Sequence, residues 1–341
     1  MRSAAFIAAS VAVRLGVAGP LQQHKPWFDW DDTEYLIAFG DSYTYVQGTA
    51  GYPIYSFIGD YLHLPFTPET LLTNSINQSF FGTAEGGPNW VEYITGCGLK
   101  PGLTRPKTCK RQLWDFAFAG ADYSLEFLPL HHNFTTPMVN QTQQYLTYAE
   151  PVIGKAMEKK KALVAIWIGI NDINDSDKLA VDFPTFYSSI HDALFAQSVQ
   201  PLYDAGYHNY LFINLPPLDR TPSNQKSAAP LPNATMVDWW NESLKRHTSA
   251  FAKNHPAAKA MVYDANTFFN SVMDHPSRYG VVNTTDFCPG YLNATVLTDP
   301  GAFGCTDLNG YFWFNSGHLT SHMHKVMSAD LIPFLRSQTT R

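Results

Sequence analysis

Five short apolar runs, at residues 36–39, 116–119, 163–168, 210–215 and 260–263, punctuate the chain, and longer segments with helical spacing lie between them. Two of these runs are rich in β-branched and aromatic residues. Short continuous runs of that kind read as strands buried on both faces, and the run at 163–168 is the clearest. The segments at 90–95, 141–161, 182–205 and 236–253 carry helical periodicity. Asn241 or Ser243 is a candidate cap within the last of these, although Trp239-Trp240 points to an earlier start. Strands alternating with helices predict an α/β architecture, a parallel sheet covered on both faces. Stretches 216–235 and 270–310, rich in Pro, Gly and Asn, are expected to be loops. There is no internal repeat, low-complexity block or linker.

With 45% hydrophobic and 14% aromatic residues, the 341-residue chain can bury a sizeable core. Its net charge of −6 and its lack of any Lys/Arg block argue against a nucleic-acid partner. Met1-Arg2, an apolar stretch to Val13 and the small residues Val17-Ala18-Gly19 read as a secretory signal peptide over residues 1–19, followed by one domain over 20–341. Arg14 interrupts the apolar run, which argues against a membrane span. The four cysteines fall into two local groups in Gly/Pro-rich loops, Cys97 with Cys109 and Cys288 with Cys305. Local disulfides are the simplest of the three possible connectivities, and no Cys-x-x-Cys spacing suggests zinc. Eight Asn-x-Ser/Thr sequons begin at Asn77, Asn133, Asn140, Asn174, Asn233, Asn241, Asn283 and Asn293. So many sequons, together with the cysteines and the leader, predict an extracellular glycoprotein.

The first apolar run closes on Gly40-Asp41-Ser42. A serine at the carboxyl end of a buried strand stands where open α/β sheets place their ligands. A serine hydroxyl is a poor nucleophile, so it needs an oriented base within hydrogen-bond reach and donors aimed at the developing oxyanion. The base candidate is His318, in Asn315-Ser-Gly-His318 before a helix-like tail at 321–334, with His322 and His324 as rivals. The donor candidates are the backbone of Gly87, in Glu85-Gly86-Gly87-Pro88-Asn89-Trp90, and the amide of Asn171, in Gly169-Ile170-Asn171-Asp172. Taken singly, the first is equally an ordinary turn and the second a helix cap.

Gly-Asp-Ser, then Gly87 with Trp90, then Gly-x-Asn-Asp and a C-terminal His resemble, in that order, the four blocks of the SGNH (GDSL) hydrolases, from about residue 35 to the C-terminus. Gly87-Pro-Asn-Trp90, Ala117-Phe-Ala-Gly120-Ala, Ile166-Trp-Ile-Gly-Ile-Asn-Asp172 and Phe212-Ile-Asn-Leu-Pro-Pro-Leu-Asp219 are similar to the fungal acetyl esterases of carbohydrate esterase family 16. The resemblance implies a three-layer α/β/α, flavodoxin-like fold with a five-stranded parallel sheet. It also implies a Ser42/His318 acyl-enzyme mechanism and an oxyanion hole of Ser42, Gly87 and Asn171. The implied substrates are acetyl groups on plant-wall sugars or xylo-oligosaccharides. Side-chain chemistry of this kind calls for no metal or organic cofactor, and a monomer is expected. Tyr43, Tyr45, Tyr52, Trp90 and Tyr291 are candidates both for stacking on sugar rings and for ordinary core positions.

The family's aspartate three residues before the histidine is Asn315 here. Three readings follow. Asn315 orients His318 through its carbonyl; a remote acid, Asp299 or Asp307, does so; or activity has been lost. Two further readings are a lipase or phospholipase for longer acyl chains and a non-catalytic glycan-binding homologue.

Overall fold

A computed structural model describes residues 26–60 and 64–340. The expected leader at 1–19 and the boundary after it lie outside them. Five strands, β1 Tyr35–Gly40, β2 Gln112–Asp115, β3 Ala162–Trp167, β4 Asn209–Ile213 and β5 Lys259–Tyr263, form one sheet in the order β2-β1-β3-β4-β5. Every neighbouring pair is parallel. β3 and β4 are buried along their whole length, which is why they read as continuous rather than alternating runs.

The run at 116–119 is not itself a strand. β2 is the segment just before it, and Asp115 Oδ1 accepts the Ala117 N–H at 2.8 Å, turning the chain out of the sheet. Propensity marked the apolar exit rather than the pairing residues, since Gln112 and Asp115 carry no strand signal.

The principal helices are α1 Trp90–Thr95, α2 Met138–Gln144, α3 Ile170–Ser176, α4 Phe183–Leu194, α5 Ala234–Asn254, α6 Ala265–Asp274 and α7 Ser321–Ser337. α1 packs on α7 and α4 on α5, giving the three-layer arrangement. The helix expected over 141–161 is broken: α2 passes through a π-turn, Tyr145–Ala149, into Glu150–Ile153. Pro151 has no N–H to return to the carbonyl four residues back, and the wider turn absorbs the missing bond. Pro201 follows the π-turn Phe195–Val199 after α4 for the same reason. α5 starts at its cap Asn233, whose Oδ1 accepts the Met236 N–H at 3.0 Å, so neither Asn241 nor Ser243 is the cap.

Both local disulfides are formed, Cys97–Cys109 and Cys288–Cys305. The second staples a small apolar cluster that includes Val296, Leu308, Tyr311 and Phe314, so the stretch expected to be loop at 270–310 is the end of α6 followed by a built module of 3₁₀ turns. Among the described residues no helix is long and apolar enough to cross a membrane.

The strand order reverses between β1 and β3, and in open parallel sheets that switch point opens a crevice at the carboxyl ends of the strands. Ser42 follows β1 there, and Asn171 follows β3.

Candidate active site

Gly40 ends β1 opposite Trp167, and a Cβ at Gly40 would come within 2.2 Å of the Trp167 carbonyl oxygen, so only glycine lets the two strand ends approach. The Gln141 amide clamps this point: its Oε1 accepts the Gly40 N–H at 3.1 Å and its Nε2 donates to the Gly40 carbonyl at 2.8 Å. Asp41 then turns the chain, its carboxyl accepting the Tyr43 N–H at 2.9 Å.

His318 Nε2 lies 2.7 Å from Ser42 Oγ, and His318 Nδ1 lies 3.0 Å from Asn315 Oδ1. Asn315 Oδ1 also accepts the backbone N–H of Gly317 at 3.0 Å and of His318 at 2.8 Å. Three donors converge on one oxygen. Turning the amide over would set its NH₂ against two N–H groups, so the carbonyl is locked toward the ring. Nδ1 then carries the imidazole proton, and Nε2 faces the serine with its lone pair free. Burial alone pushes His318 down to about 4, with no carboxylate beside the ring to draw it back up. The ring is therefore neutral through most of the acid range. Tyr43, fully buried, braces the turn by donating its hydroxyl to the Gly317 carbonyl.

The rival groups are engaged elsewhere. His322 Nε2 contacts the Tyr279 carbonyl at 2.7 Å. His324 is fully buried, with Nδ1 accepting the Trp90 N–H at 3.3 Å and Nε2 lying 3.6 Å from Glu85. Asp299 and Asp307 are exposed and accept the N–H groups of Ala302 and Asn309 at the starts of 3₁₀ turns. Asn315 is the side chain at Nδ1.

On the donor side, Gly86 sits at φ +73° with a Phe314 ring atom 2.4 Å from where a Cβ would stand, which makes it an obligatory glycine. Thr83 Oγ1 donates to the Gly87 carbonyl. Neither the Ser42 nor the Gly87 N–H meets an acceptor among the described residues. Gly169, at φ +116°, leaves room for the Trp240 ring, and starts α3 so that Asn171 stands in its first turn. One Asn171 amide hydrogen goes to the Ala121 carbonyl at 3.0 Å, which orients the group and leaves a second hydrogen on the same nitrogen.

Sequence reasoning missed a set of buried carboxyls under the site: Asp41, Asp122 and Asp172. Burial pushes Asp172 up to about 7, Asp41 to about 8 and Asp122 to about 9, with repulsion added from Asp175 at Asp172, from Asp172 at Asp41, and from Asp172, Asp175 and Asp41 at Asp122. The signal was present, since each of these aspartates directly follows Gly40, Ala121 or Asn171. Of the five aromatics singled out, Tyr43, Tyr45 and Trp90 belong to the core, and only Tyr52 and Tyr291 keep exposed surface. Among the sequons, Asn133, Asn174, Asn233 and Asn293 are exposed. Asn77, Asn140, Asn241 and Asn283 are half-buried, and the Asn241 amide is bonded to both backbone groups of Leu215. No group of three or more His, Cys, Asp or Glu among the described residues could hold a metal ion.

Residues 36–331 match the family model described as GDSL-like Lipase/Acylhydrolase. The chain is 27% identical over 266 residues to an acetylesterase of Thermothelomyces thermophilus, covering 74% of this chain and 78% of that one. It is 25% identical over 328 residues to an acetylesterase of Hypocrea jecorina, covering 84% of each. Among solved structures, Axe2, an acetylxylan esterase from Geobacillus stearothermophilus, is 12% identical with a TM-score of 0.41, covering 89% of this chain and 94% of that one. With its family match running over most of its length, this chain belongs to the GDSL-like lipase/acylhydrolases and is a carboxylic ester hydrolase.

Proposed function

We propose that this protein is a secreted serine esterase that removes acetyl groups from plant cell-wall sugars or xylo-oligosaccharides. The observation that carries the mechanism is the continuous chain from Asn315 Oδ1 through the His318 ring to Ser42 Oγ. Ser42 Oγ attacks the ester carbonyl while His318 Nε2 takes its proton. The Ser42 and Gly87 N–H groups and the second Asn171 amide hydrogen receive the oxyanion. His318 then protonates the leaving alcohol, and water, deprotonated by the same nitrogen, releases the acid. Asn315 holds the productive tautomer but adds no charge, so the imidazolium formed in the transition state is stabilised less than in an Asp-supported site.

The acetyl preference is supported by the two fungal relatives named acetylesterases. Two disulfides support an oxidising destination, and glycosylation at the exposed sequons and a monomeric state complete the reading. The test is a series of p-nitrophenyl esters of rising acyl length, run beside acetylated xylo-oligosaccharides. Highest kcat/KM on the acetyl ester, with acetate released from the oligosaccharides, is the expected result. Activity that rises toward long acyl chains contradicts the acetyl assignment and points to a lipase.

A further inference from the structure

The two halves of the proposed site come from distant parts of the chain, and one side chain joins them. Ser321 opens α7, three residues beyond His318. Its N–H donates to the Glu85 carbonyl at 3.1 Å, and its Oγ donates to the Pro88 carbonyl at 2.6 Å. Ser321 therefore grips both ends of the segment 85–88 that contains Gly87. A hydroxyl has a single proton, so with that proton on Pro88 the Tyr93 hydroxyl, 3.0 Å from Ser321 Oγ, is the donor in their contact. The result is a directed relay from Tyr93 to Ser321 to the Pro88 carbonyl.

The contact is also steric. A Cβ on Gly87 would stand 2.9 Å from Ser321 Oγ and 3.1 Å from Ser321 Cβ, so the glycine and the serine fit each other. Pro88 has no N–H, and the Gly87 carbonyl is occupied by Thr83, which leaves the Gly87 N–H as the one donor of this pair of residues free to face the crevice.

We infer that Ser321 is a positioning residue for the oxyanion side of the site: it sets the direction of the Gly87 N–H and ties it to the turn that carries His318. This rests on the reading of Gly87 as an oxyanion donor. Donors of that kind act where charge develops in the transition state, so misaiming one lowers kcat and leaves KM nearly unchanged.

The test compares Ser321→Ala, Tyr93→Phe and the double variant on an acetyl ester, with melting temperatures alongside. Ser321→Ala keeps the backbone bond to Glu85 and is expected to lose about 10- to 100-fold in kcat, short of the 10²–10³ that deleting a whole donor costs. KM should stay within about twofold, and the acid midpoint set by His318 should not move. Tyr93→Phe loses about threefold to tenfold, and the double variant is no worse than Ser321→Ala, because both act through one relay. A folded Ser321→Ala enzyme with parental kcat, or one in which KM rises while kcat holds, overturns the inference. Should Ser321→Ala not fold, parental kcat in Tyr93→Phe overturns it equally. Parental protein that hydrolyses no ester defeats the esterase reading itself, an outcome distinct from either of these.

Discussion

Asn315→Asp isolates what the amide lacks. The new carboxylate keeps the same three donors, the N–H groups of Gly317 and His318 and the ring Nδ1–H, and places a negative charge 3.0 Å from the ring nitrogen. Opposite unit charges about 4 Å apart at an effective dielectric of about 20 attract by roughly 4 kcal/mol, equivalent to ~3 pKa units. The turn is half-exposed, and its two backbone donors already offset part of the charge, which brings the expected rise into the range of about 1–3 units. His318, held near 4 by burial, should move to about 5–7. The sign follows from its role: the ring is a base only when neutral, so activity is lost as pH falls through its pKa. The assay is kcat/KM on p-nitrophenyl acetate from pH 3 to 9 at constant ionic strength. The acid midpoint should lie near 4 in the parent and rise in the variant, while kcat on the alkaline plateau holds or increases because the imidazolium gains a counter-charge. Equal midpoints in the two proteins would mean that residue 315 does not serve Nδ1, and a parental midpoint near 6.5 would mean that burial does not depress the ring; either result contradicts this assignment.

Asn171→Ala should lower kcat about 10²–10³-fold with little change in KM, read by steady-state kinetics on an acetyl ester. Replacing Cys97 and Cys109 by Ser opens a loop with a sequence separation of 12 and should cost roughly 3 kcal/mol in urea unfolding, with kcat retained by the folded fraction. The raised pKa values of Asp41, Asp122 and Asp172 mean that the native state binds more protons than the unfolded chain above the ordinary carboxylate range. Linkage then makes stability fall as pH rises from about 4 toward 8–9, and Asp122→Asn should flatten the decline in melting temperature across that span.

The β-rich runs announced the sheet because parallel strands buried on both faces must be apolar throughout, as β3 and β4 are. β2 escaped notice because its ends are Gln112 and Asp115, and its pairing is set by β1 rather than by its own propensity. Ser42, Gly87, Asn171 and His318 stood out because glycines and turn residues mark each strand or helix end that must carry them. That Asn315 orients His318 through its carbonyl was legible as one reading; what locks the carbonyl toward the ring, the backbone N–H groups of Gly317 and His318, is a three-dimensional fact. The same holds for Ser321, whose partners lie more than two hundred residues upstream.

The Ser42–His318 pair is tested most simply by the rate at which an organophosphonate labels the intact protein, followed by peptide mass spectrometry from pH 3 to 8. A single adduct on Ser42 is expected, with a labelling rate that falls away below about pH 4 and near-complete loss of labelling in His318→Ala. No adduct on Ser42, or an adduct that forms as fast without His318, would contradict that pairing.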